Sequence, residues 1–334
     1  MTQPPPTPEE ARACPPTPDR TDGGGTAAST TAPDRRDAQP GHRQPVRRPA
    51  LRWYGGKWRL APWIIRYLPP HDAYCESYGG AASVLLRKPP ARLETFNDLH
   101  GRLVNFFTVL RQRPDELARA VELTPYARVE FRLAYQVAAD PLEDARRLYV
   151  LANQGRGGAA SGRTRTGWRT ERSPDHSPLP REFTAAHLGA VAARLKHVQI
   201  EHDDALAVIA HYDHAATLHY VDPPYVRATR SAGSSGRYAH DLTDADHRAL
   251  AELLHQVKGM VVLSGYAGEL YEELYADWQR LDRHTRADAA KPRVESLWFN
   301  PAASRRKQAV TSAPAVGGPF IIEKGAHELD PDSR

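Results

Sequence analysis

The segment from Ala73 to Leu86 constrains the fold most strongly, because it joins a strand signal, a glycine turn and a helix signal without interruption. Ala73 to Ser77 is a short strand candidate, and Gly79 and Gly80 follow it directly. Residues 81–86 are then mainly apolar and read as the start of a helix. A strand, a tight turn and a helix in this order form the first half of a nucleotide-binding βα unit.

The alternation of strand and helix signals continues along most of the chain. Leu93 to Asp98 has the pattern of a second strand, and apolar residues then recur at helical spacing through Leu110. Further strand signals lie at 198–202, 218–222, 260–266 and 293–300, and helix signals at 63–68, 126–138, 142–152, 206–209, 243–257 and 269–278. Strands that alternate with helices form parallel sheets. We therefore expect an α/β fold with a Rossmann-like, mostly parallel sheet.

Composition and pattern divide the 334-residue chain into four parts. Residues 1–50 contain eleven prolines and only Met1 and Val46 as large apolar residues, too few for a core, so we predict a disordered, Pro-rich tail. Between 112 and 195 the strand signal lapses, which indicates an inserted, mainly helical domain. The predicted parts are therefore a Rossmann-like domain over 51–111 and 196–315, an inserted domain over 112–195, and tails over 1–50 and 316–334.

Several classes of protein are disfavoured by what the sequence contains. No apolar run approaches the ~20 residues needed to cross a bilayer, and the N-terminus does not resemble a signal peptide, so we expect a cytoplasmic protein without a membrane partner. Cys14 and Cys75 are the two cysteines, which is too few for a disulfide framework or a cysteine zinc site. The histidines show no paired spacing beside acidic residues, so no metal is expected.

The charge of the chain favours a polyanionic partner. The formal net charge is +5, and the segment 151–181 is rich in arginine, glycine, serine and threonine. Six arginines lie in this segment, against Glu171 and Asp175: Arg156, Arg163, Arg165, Arg169, Arg172 and Arg181. A solvated surface insertion explains the charge alone equally well. The position of the segment inside an α/β pattern favours the binding interpretation.

Asp222, Pro223, Pro224 and Tyr225 end a predicted strand, where open parallel sheets present their ligands. An aromatic amine is a poor nucleophile because its lone pair is delocalised into the ring. Hydrogen bonds from the amino group to Asp222 and to the Pro223 carbonyl would turn that lone pair toward a methyl donor. Tyr225 would stack on the base, which has to leave a duplex to enter such a pocket. A plain surface turn is the alternative, since two prolines often end a strand.

Four motifs together give the chain a resemblance to a known family. RWYGGK, CESYGG, FND and VDPPY occur in the order and at spacings similar to those of the Dam-like DNA adenine methyltransferases, over residues 51–310. The resemblance implies the fold of S-adenosylmethionine-dependent methyltransferases, with the inserted domain recognising the target. It also implies S-adenosylmethionine as cofactor, double-stranded DNA as partner, and transfer of a methyl group to the 6-amino group of adenine by base flipping.

The resemblance assigns roles to single residues. Trp53 packs beside the cofactor and Lys57 contacts it, while Asp98 holds the ribose hydroxyls. The glycine-rich turn lets the backbone approach the cofactor, and the DPPY motif is catalytic. The turn comprises Glu76, Gly79 and Gly80, and the motif comprises Asp222, Pro223, Pro224 and Tyr225, of which Asp222 also borders the cofactor.

Each of these residues also has a plainer interpretation. Trp53 is also compatible with an aromatic residue of the core, and Lys57 with an exposed cation at the start of a helix. Asp98 is compatible with the N-cap of the following helix. Asp203 and Asp204 resemble the acidic site near the target adenine, and either one equally fits a helix cap. The four motifs considered together favour the family roles over these plainer interpretations.

The chain departs from the family pattern in two places. Ala82 stands where the family's turn carries its second glycine, and its methyl group would tighten the pocket. The insertion lacks the asparagine, phenylalanine and proline pattern of members that read GATC, so the resemblance implies no target sequence. Arginines of the insertion and of the segment after DPPY are then candidates for phosphate or guanine contacts. The candidates are Arg163, Arg165 and Arg169 in the insertion, and Arg227, Arg230, Arg237 and Tyr238 after the motif.

Alternative functions follow from the same chemistry. The chemistry of the DPPY motif applies to other exocyclic amines as well, so methylation of the cytosine 4-amino group or of RNA adenine is an alternative. Asp222 and the order of the motifs favour DNA adenine. A DNA-binding relative that has lost turnover is a hypothesis from another class. A separate restriction endonuclease, a phage defence role and an orphan regulatory role in a prokaryotic nucleoid are all compatible with the resemblance. The sequence sets no oligomeric state.

Overall fold

The computed structural model describes residues 45–170, 185–230, 238–286 and 292–311. The tail over 1–44, the segment after Thr311, and Arg172, Arg181 and Arg237 lie outside the described residues. The folded part begins before residue 50, earlier than predicted, because Val46 packs against the core and Ala50 is buried in it.

A seven-stranded sheet forms the centre of the protein. Five of its strands, β1 to β5, are parallel neighbours in the order β3-β2-β1-β4-β5, and β7 then pairs antiparallel with both β5 and β6. The strands are β1 (Ala73–Glu76), β2 (Leu93–Asn97), β3 (Val198–Glu201), β4 (Thr217–Val221), β5 (Met260–Tyr266), β6 (Gln279–Arg286) and β7 (Pro292–Phe299). The predicted Rossmann-like, mostly parallel sheet is confirmed. β6 was not predicted, because it is an edge strand with mostly charged and polar residues.

Helices cover and connect the strands. They are α1 (Ala61–Tyr67), α2 (Ser83–Arg87), α3 (Gly101–Gln112), α4 (Pro114–Glu122), α5 (Arg128–Leu133), α6 (Pro141–Gln154), α7 (Leu188–Leu195), α8 (Ala205–His211), α9 (Asp244–Gln256), α10 (Glu269–Leu274) and α11 (Pro301–Thr311). Thr243 caps α9 as predicted, and Asp246 completes a reciprocal capping box. α4 was not predicted, although Pro114 at its start followed by two acidic residues is a helix-start signal.

The order of the strands places a ligand crevice between β1 and β4. The chain runs from β1 outward through β2 on one side, and from β4 outward through β5 on the other. The connections therefore leave β1 and β4 in opposite directions, and the loops at their carboxyl ends separate. Such a switch point is where open α/β sheets bind their ligands.

The helical segment between β2 and β3 packs directly onto the sheet domain. In the described residues between these strands there is no strand beyond a single bridge between Gly155 and Trp168. Phe106 of α3 stacks on Tyr149 of α6 at 6.2 Å between ring centroids, and both belong to the same hydrophobic core as the strand residue Phe96. This segment therefore shares the core of the sheet.

A buried ion cluster joins this segment to β2. Glu94 of β2 accepts hydrogen bonds from Lys88 Nζ at 2.6 Å and from Arg194 Nη2 of α7 at 2.8 Å, and all three residues are buried. Burial opposes ionisation of Glu94, but the hydrogen bonds from Arg194 and Lys88 outweigh it and lower its pKa. The cluster fixes α7 against the sheet.

We predict that Glu94→Gln lowers the free energy of unfolding by about 3–5 kcal/mol, because two buried cations lose their counterion. Chemical denaturation at neutral pH measures the change. Glu116→Gln is the matched control, since Glu116 pairs with Arg113 on the exposed surface and should change stability far less. Equal losses in the two variants would show that the buried cluster contributes nothing specific.

Candidate active site

A cavity of about 270 Å³ opens at the switch point. Its walls come from the carboxyl ends of β1, β2 and β4, from the segment before α1, and from residues after the DPPY motif. Ten of the predicted site residues line it: Trp53, Lys57, Glu76, Gly79, Gly80, Asp98, Asp222, Pro223, Pro224 and Tyr238. Residues separated by up to 185 positions in sequence therefore meet in one place.

The glycine turn after β1 is shaped by close contacts. A side chain at Gly79 would place its Cβ 2.1 Å from the Phe96 ring, which leaves no room for any other residue. Gly80 has a φ of +49°, and its backbone N–H donates to Asp98 Oδ2 at 2.8 Å. The turn thus brings bare backbone to the cavity wall and joins it to the end of β2.

Ala82 takes a backbone conformation that normally belongs to glycine. Its φ is 54° and its ψ is 35°, in the left-handed region, which costs a residue with a Cβ roughly 1–2 kcal/mol. Its side chain is fully buried in the hydrophobic core, and Ala82 is not among the described residues that line the cavity. The expected tightening of the pocket is therefore wrong, because the methyl group contributes to core packing instead.

Asp98 faces the cavity and does not cap the following helix. Its carboxylate accepts from the backbone N–H groups of Gly80 and His100, both at 2.8 Å, whereas the side chain of His100 caps α3. Burial raises the pKa of Asp98, and the two backbone hydrogen bonds oppose that effect. Each carboxylate oxygen has a further lone pair, so a hydroxyl group in the cavity could donate to it.

Lys57 is buried rather than exposed, with 6% of its surface accessible. Its ammonium lies 3.0 Å from Asp222 Oδ2, donates to the Gly55 carbonyl at 2.9 Å, and lies 4.6 Å from the centroid of the Tyr225 ring. Burial alone would lower the pKa of Lys57, but the negative charges of Asp222 and Glu295 raise it on balance. The plainer interpretation of Lys57 as an exposed cation is therefore wrong.

Asp222 combines one paired and one unpaired carboxylate oxygen. Oδ2 contacts Lys57, while Oδ1 is buried and has no hydrogen-bond partner. Burial raises the pKa of Asp222 to about 6, and the charge of Lys57 opposes that shift. A buried acceptor without a partner is costly, so Oδ1 is suited to a donor supplied by a ligand.

Glu76 is a carboxyl group that burial keeps protonated at neutral pH. Its Oε2 accepts from the Tyr74 hydroxyl at 2.7 Å and from the Leu85 backbone N–H at 2.9 Å. Burial raises the pKa of Glu76 to about 8, against the effect of these hydrogen bonds. The neutral side chain therefore joins the start of α2 to β1 at the cavity.

Two further residues fix the loops around the cavity. The Asn97 amide donates to the carbonyls of Ser77 and Asp203 at 2.9 and 3.0 Å, which ties together the loops after β1, β2 and β3. Sequence reasoning missed Asn97, although it stands in the FND motif beside Asp98. Asp203 and Asp204 are both exposed; Asp204 caps α8 through the Leu206 N–H at 2.9 Å and lines the cavity, whereas Asp203 is not among its described lining residues.

Tyr225 is not placed for open stacking on a base. Only 5% of its surface is accessible, it is absent from the described cavity lining, and Lys57 lies over its ring. Its hydroxyl donates to Glu295 Oε2 at 2.8 Å and lies 3.2 Å from Ser264 Oγ. Tyr225 therefore belongs to a buried polar cluster behind the cavity, and Glu295 and Ser264 are two members that sequence reasoning missed.

The segment after the motif returns to the cavity through Tyr238. Its ring contacts Tyr54 at 5.0 Å between centroids, and its hydroxyl lies beside Gly55. Arg230 lies over the same ring at 5.0 Å. Tyr238, unlike Tyr225, therefore lines the cavity.

The two predicted DNA-binding arginines of this segment differ in exposure. Arg230 has 6% of its side chain exposed, forms a two-pronged salt bridge with Asp241 at 2.6 and 3.2 Å, and also donates to the Tyr225 carbonyl. The side chain of Arg227 is 61% exposed. Arg227 therefore faces solvent, whereas Arg230 does not lie where a phosphate could reach it.

The arginines of the insertion lie close to the same segment. Arg163 is exposed and donates to the Ala239 carbonyl at 2.8 Å, and the Ala239 N–H donates to the Ser161 carbonyl at 2.9 Å. Arg165 is exposed and lies 5.0 Å from the Tyr135 ring centroid, and Arg169 is half-buried with one guanidinium nitrogen lacking a partner. The insertion and the segment after the motif are therefore physically joined at the cavity mouth.

The described part of the chain offers neither a candidate metal site nor a candidate membrane span. There, no group of three or more His, Cys, Asp and Glu side chains could hold a metal ion. The same residues include no helix with the length and apolarity that a membrane span requires.

Comparison with known proteins identifies the family. Residues 53–151 and 163–288 match the family described as D12 class N6 adenine-specific DNA methyltransferase. The DNA adenine methylase of Escherichia coli (strain K12) is 26% identical over 210 residues, which span 61% of this chain and 74% of that protein. The DNA adenine methylase of Serratia marcescens is 24% identical over 238 residues, spanning 67% and 86%, and that of Salmonella typhi is 25% identical over 235 residues, spanning 67% and 83%. The chain belongs to the D12 class of N6 adenine-specific DNA methyltransferases.

Proposed function

We propose that this adenine-specific DNA methyltransferase takes its methyl group from S-adenosylmethionine and acts on one short sequence in double-stranded DNA, with the target adenine rotated out of the helix. The observation that carries the proposal is Asp222 Oδ1, a buried acceptor without a partner at the switch-point cavity. A 6-amino group would supply the missing donor. The cytoplasmic bacterial or phage DNA is then the partner.

The residues of the cavity fit S-adenosylmethionine. Gly79 and Gly80 line the cavity with backbone alone, and Trp53 lies beside Gly80 as a flat apolar wall. Asp98 retains lone pairs for the ribose hydroxyls, the role that an acidic residue after the second strand plays in dinucleotide-binding folds. When bound, S-adenosylmethionine supplies an electrophilic methyl group on a positively charged sulfur.

The motif residues then prepare the amine. Asp222 accepts one amino hydrogen, the Pro223 carbonyl accepts the other, and the nitrogen lone pair turns out of the ring plane. Lys57 keeps Asp222 ionised through its positive charge. Tyr238 lines the cavity and would contact the base beside these residues.

The DNA duplex would lie across the helical segment and the segment after the motif. Exposed Arg163, Arg165 and Arg227 supply positive charge on this side. The hydrogen bonds of Ala239 join the two segments at the cavity mouth. We therefore assign target recognition to residues 112–195, with backbone contacts shared by the segment that follows DPPY.

We predict that Asp222→Asn reduces methyl transfer by several orders of magnitude, because an amide cannot provide the same charged acceptor in the transition state. Transfer of labelled methyl groups to unmethylated genomic DNA, followed by single-molecule sequencing, measures the effect and maps the target. Asp277→Asn, an exposed aspartate beside His255, is the control. Near-normal turnover of the Asp222 variant, or wild-type label on RNA or cytosine alone, would contradict the proposal.

Activity should decline in acid as Asp222 takes up a proton. The pKa of this carboxyl is raised to about 6, and only the ionised form offers the amino group a charged acceptor and forms an ion pair with Lys57. We therefore predict that kcat/KM is constant above that value and falls tenfold per pH unit well below it. A profile that stays flat to pH 4.5 would remove Asp222 from this role.

Arg227 and Arg230 should behave differently in DNA binding. Arg227→Ala should weaken binding at all sequences and reduce the slope of log Kd against log salt by about 1, because one phosphate contact is lost. Arg230→Ala should leave that slope unchanged and lower turnover instead, because Arg230 holds Asp241 and the Tyr225 carbonyl. Fluorescence anisotropy over a salt series separates the two. Equal slope changes would place both side chains on the DNA.

A further inference from the structure

Glu295 is a buried carboxylate that reaches the active site from the antiparallel edge of the sheet. It lies in β7, with 8% of its surface accessible, and pairs in register with Tyr266 of β5. Its Oε2 accepts the Tyr225 hydroxyl at 2.8 Å, and Ser264 of β5 lies 3.2 Å from the same hydroxyl. The motif tyrosine is therefore held by two residues that follow it by 39 and 70 positions.

The charges of this buried cluster do not cancel. Lys57 carries one positive charge, while Asp222 and Glu295 each carry a negative charge when ionised. The hydroxyls of Tyr220, Tyr225 and Tyr266 also face them, as does the carboxyl of Glu76, which its raised pKa of about 8 keeps neutral at pH 7. Arg283 of β6 pairs in register with Glu295, but it is exposed and its guanidinium lies over the Trp63 ring at 5.6 Å. One ammonium group therefore balances two carboxylates, and the buried cluster carries one negative charge in excess.

That excess matters when the methyl group is transferred. Lys57 is paired with Asp222 Oδ2 at 3.0 Å, and the target amine bonds to Oδ1 of the same carboxylate. The amine nitrogen becomes positively charged as it takes the methyl group from the sulfonium, so Asp222 alone would then have to balance two cations. A buried cation with too little countercharge is strongly destabilised. Lys57 also lies over the ring of Tyr225, whose hydroxyl contacts Glu295, so the second carboxylate is one side chain away.

We propose that Glu295 is a positioning residue for methyl transfer: it fixes Tyr225 through the hydroxyl and supplies the second negative charge that keeps the Lys57 ammonium balanced while Asp222 engages the target amine. This inference rests on the proposed role of Asp222. Glu295 does not touch the amine itself, and it acts through Lys57 and Tyr225.

The test compares Glu295→Gln with Asp282→Asn, a control that removes one negative charge from the exposed side of the neighbouring strand β6. Glu295→Gln should lower kcat about 10- to 100-fold, by analogy with the loss of an outer-shell partner that orients a metal ligand. Burial is the largest cause of the raised pKa of Asp222, and the charge of Glu295 adds to it. The acid limb of kcat/KM should therefore move below pH 6 in Glu295→Gln and stay in place in Asp282→Asn.

Two conservative variants separate the charge from the hydrogen bond. Tyr225→Phe removes the hydroxyl and keeps the Glu295 charge, so its acid limb should not move to lower pH. Glu295→Asp keeps the charge and shortens the side chain. The acid limb of its kcat/KM profile should therefore coincide with that of the wild type, even where Glu295→Gln proves too unstable to assay. A downward shift in either variant would overturn the role of the charge.

A binding readout distinguishes positioning from general damage. In a duplex that carries the mapped site, 2-aminopurine at the target position lacks the 6-amino group and does not compete for Asp222. Its fluorescence on flipping should therefore be equal in wild type and Glu295→Gln, while methylation of adenine falls. Loss of flipping in this variant, or turnover equal to that of Asp282→Asn, would overturn the inference. Absence of wild-type methylation would instead overturn the proposed function.

Discussion

The buried ion pair between Lys57 and Asp222 is the interaction on which the active site depends. Neither charge is tolerable alone at this depth, because burial lowers the pKa of one and raises the pKa of the other. Together they remain ionised at neutral pH, with one oxygen of Asp222 still open to a ligand. The pair also joins the segment before α1 to the end of β4, so the first and the last motif of the cavity hold each other in place.

The sheet makes this pairing possible by bringing strand ends together. β1 and β4 are adjacent although 140 residues separate them, and the loops that follow them form opposite walls of one cavity. Asn97 and Asp98 at the end of β2 bind the backbone of the glycine turn, and Asn97 also binds the loop after β3. These hydrogen bonds use fixed backbone groups, so the cavity walls are set before any ligand enters, which favours preorganised binding.

The parts of this structure that local signals encode were predictable from the sequence. Five parallel strands, the Thr243 cap and ten cavity residues follow from periodicity, turn chemistry and motif resemblance. β6 was missed because an edge strand needs no apolar face, and Glu295 was missed because its role arises from antiparallel pairing of β7 with β5. The burial of Tyr225 and Arg230 was likewise invisible, since a side chain's orientation depends on contacts with residues such as Asp241 that lie outside the motif.

The post-motif segment connects the cavity to the helical insertion. Tyr238 lines the cavity, while the next residue, Ala239, is hydrogen-bonded to Ser161 and Arg163 of the insertion. Ser161 and Ala239 both line the cavity, so this hydrogen bond belongs to the cavity wall itself. Arg230 and Asp241 anchor the same segment to the carbonyl of Tyr225, and Lys57 lies over the ring of that tyrosine. The insertion, the post-motif segment and the DPPY motif thus share one continuous set of contacts.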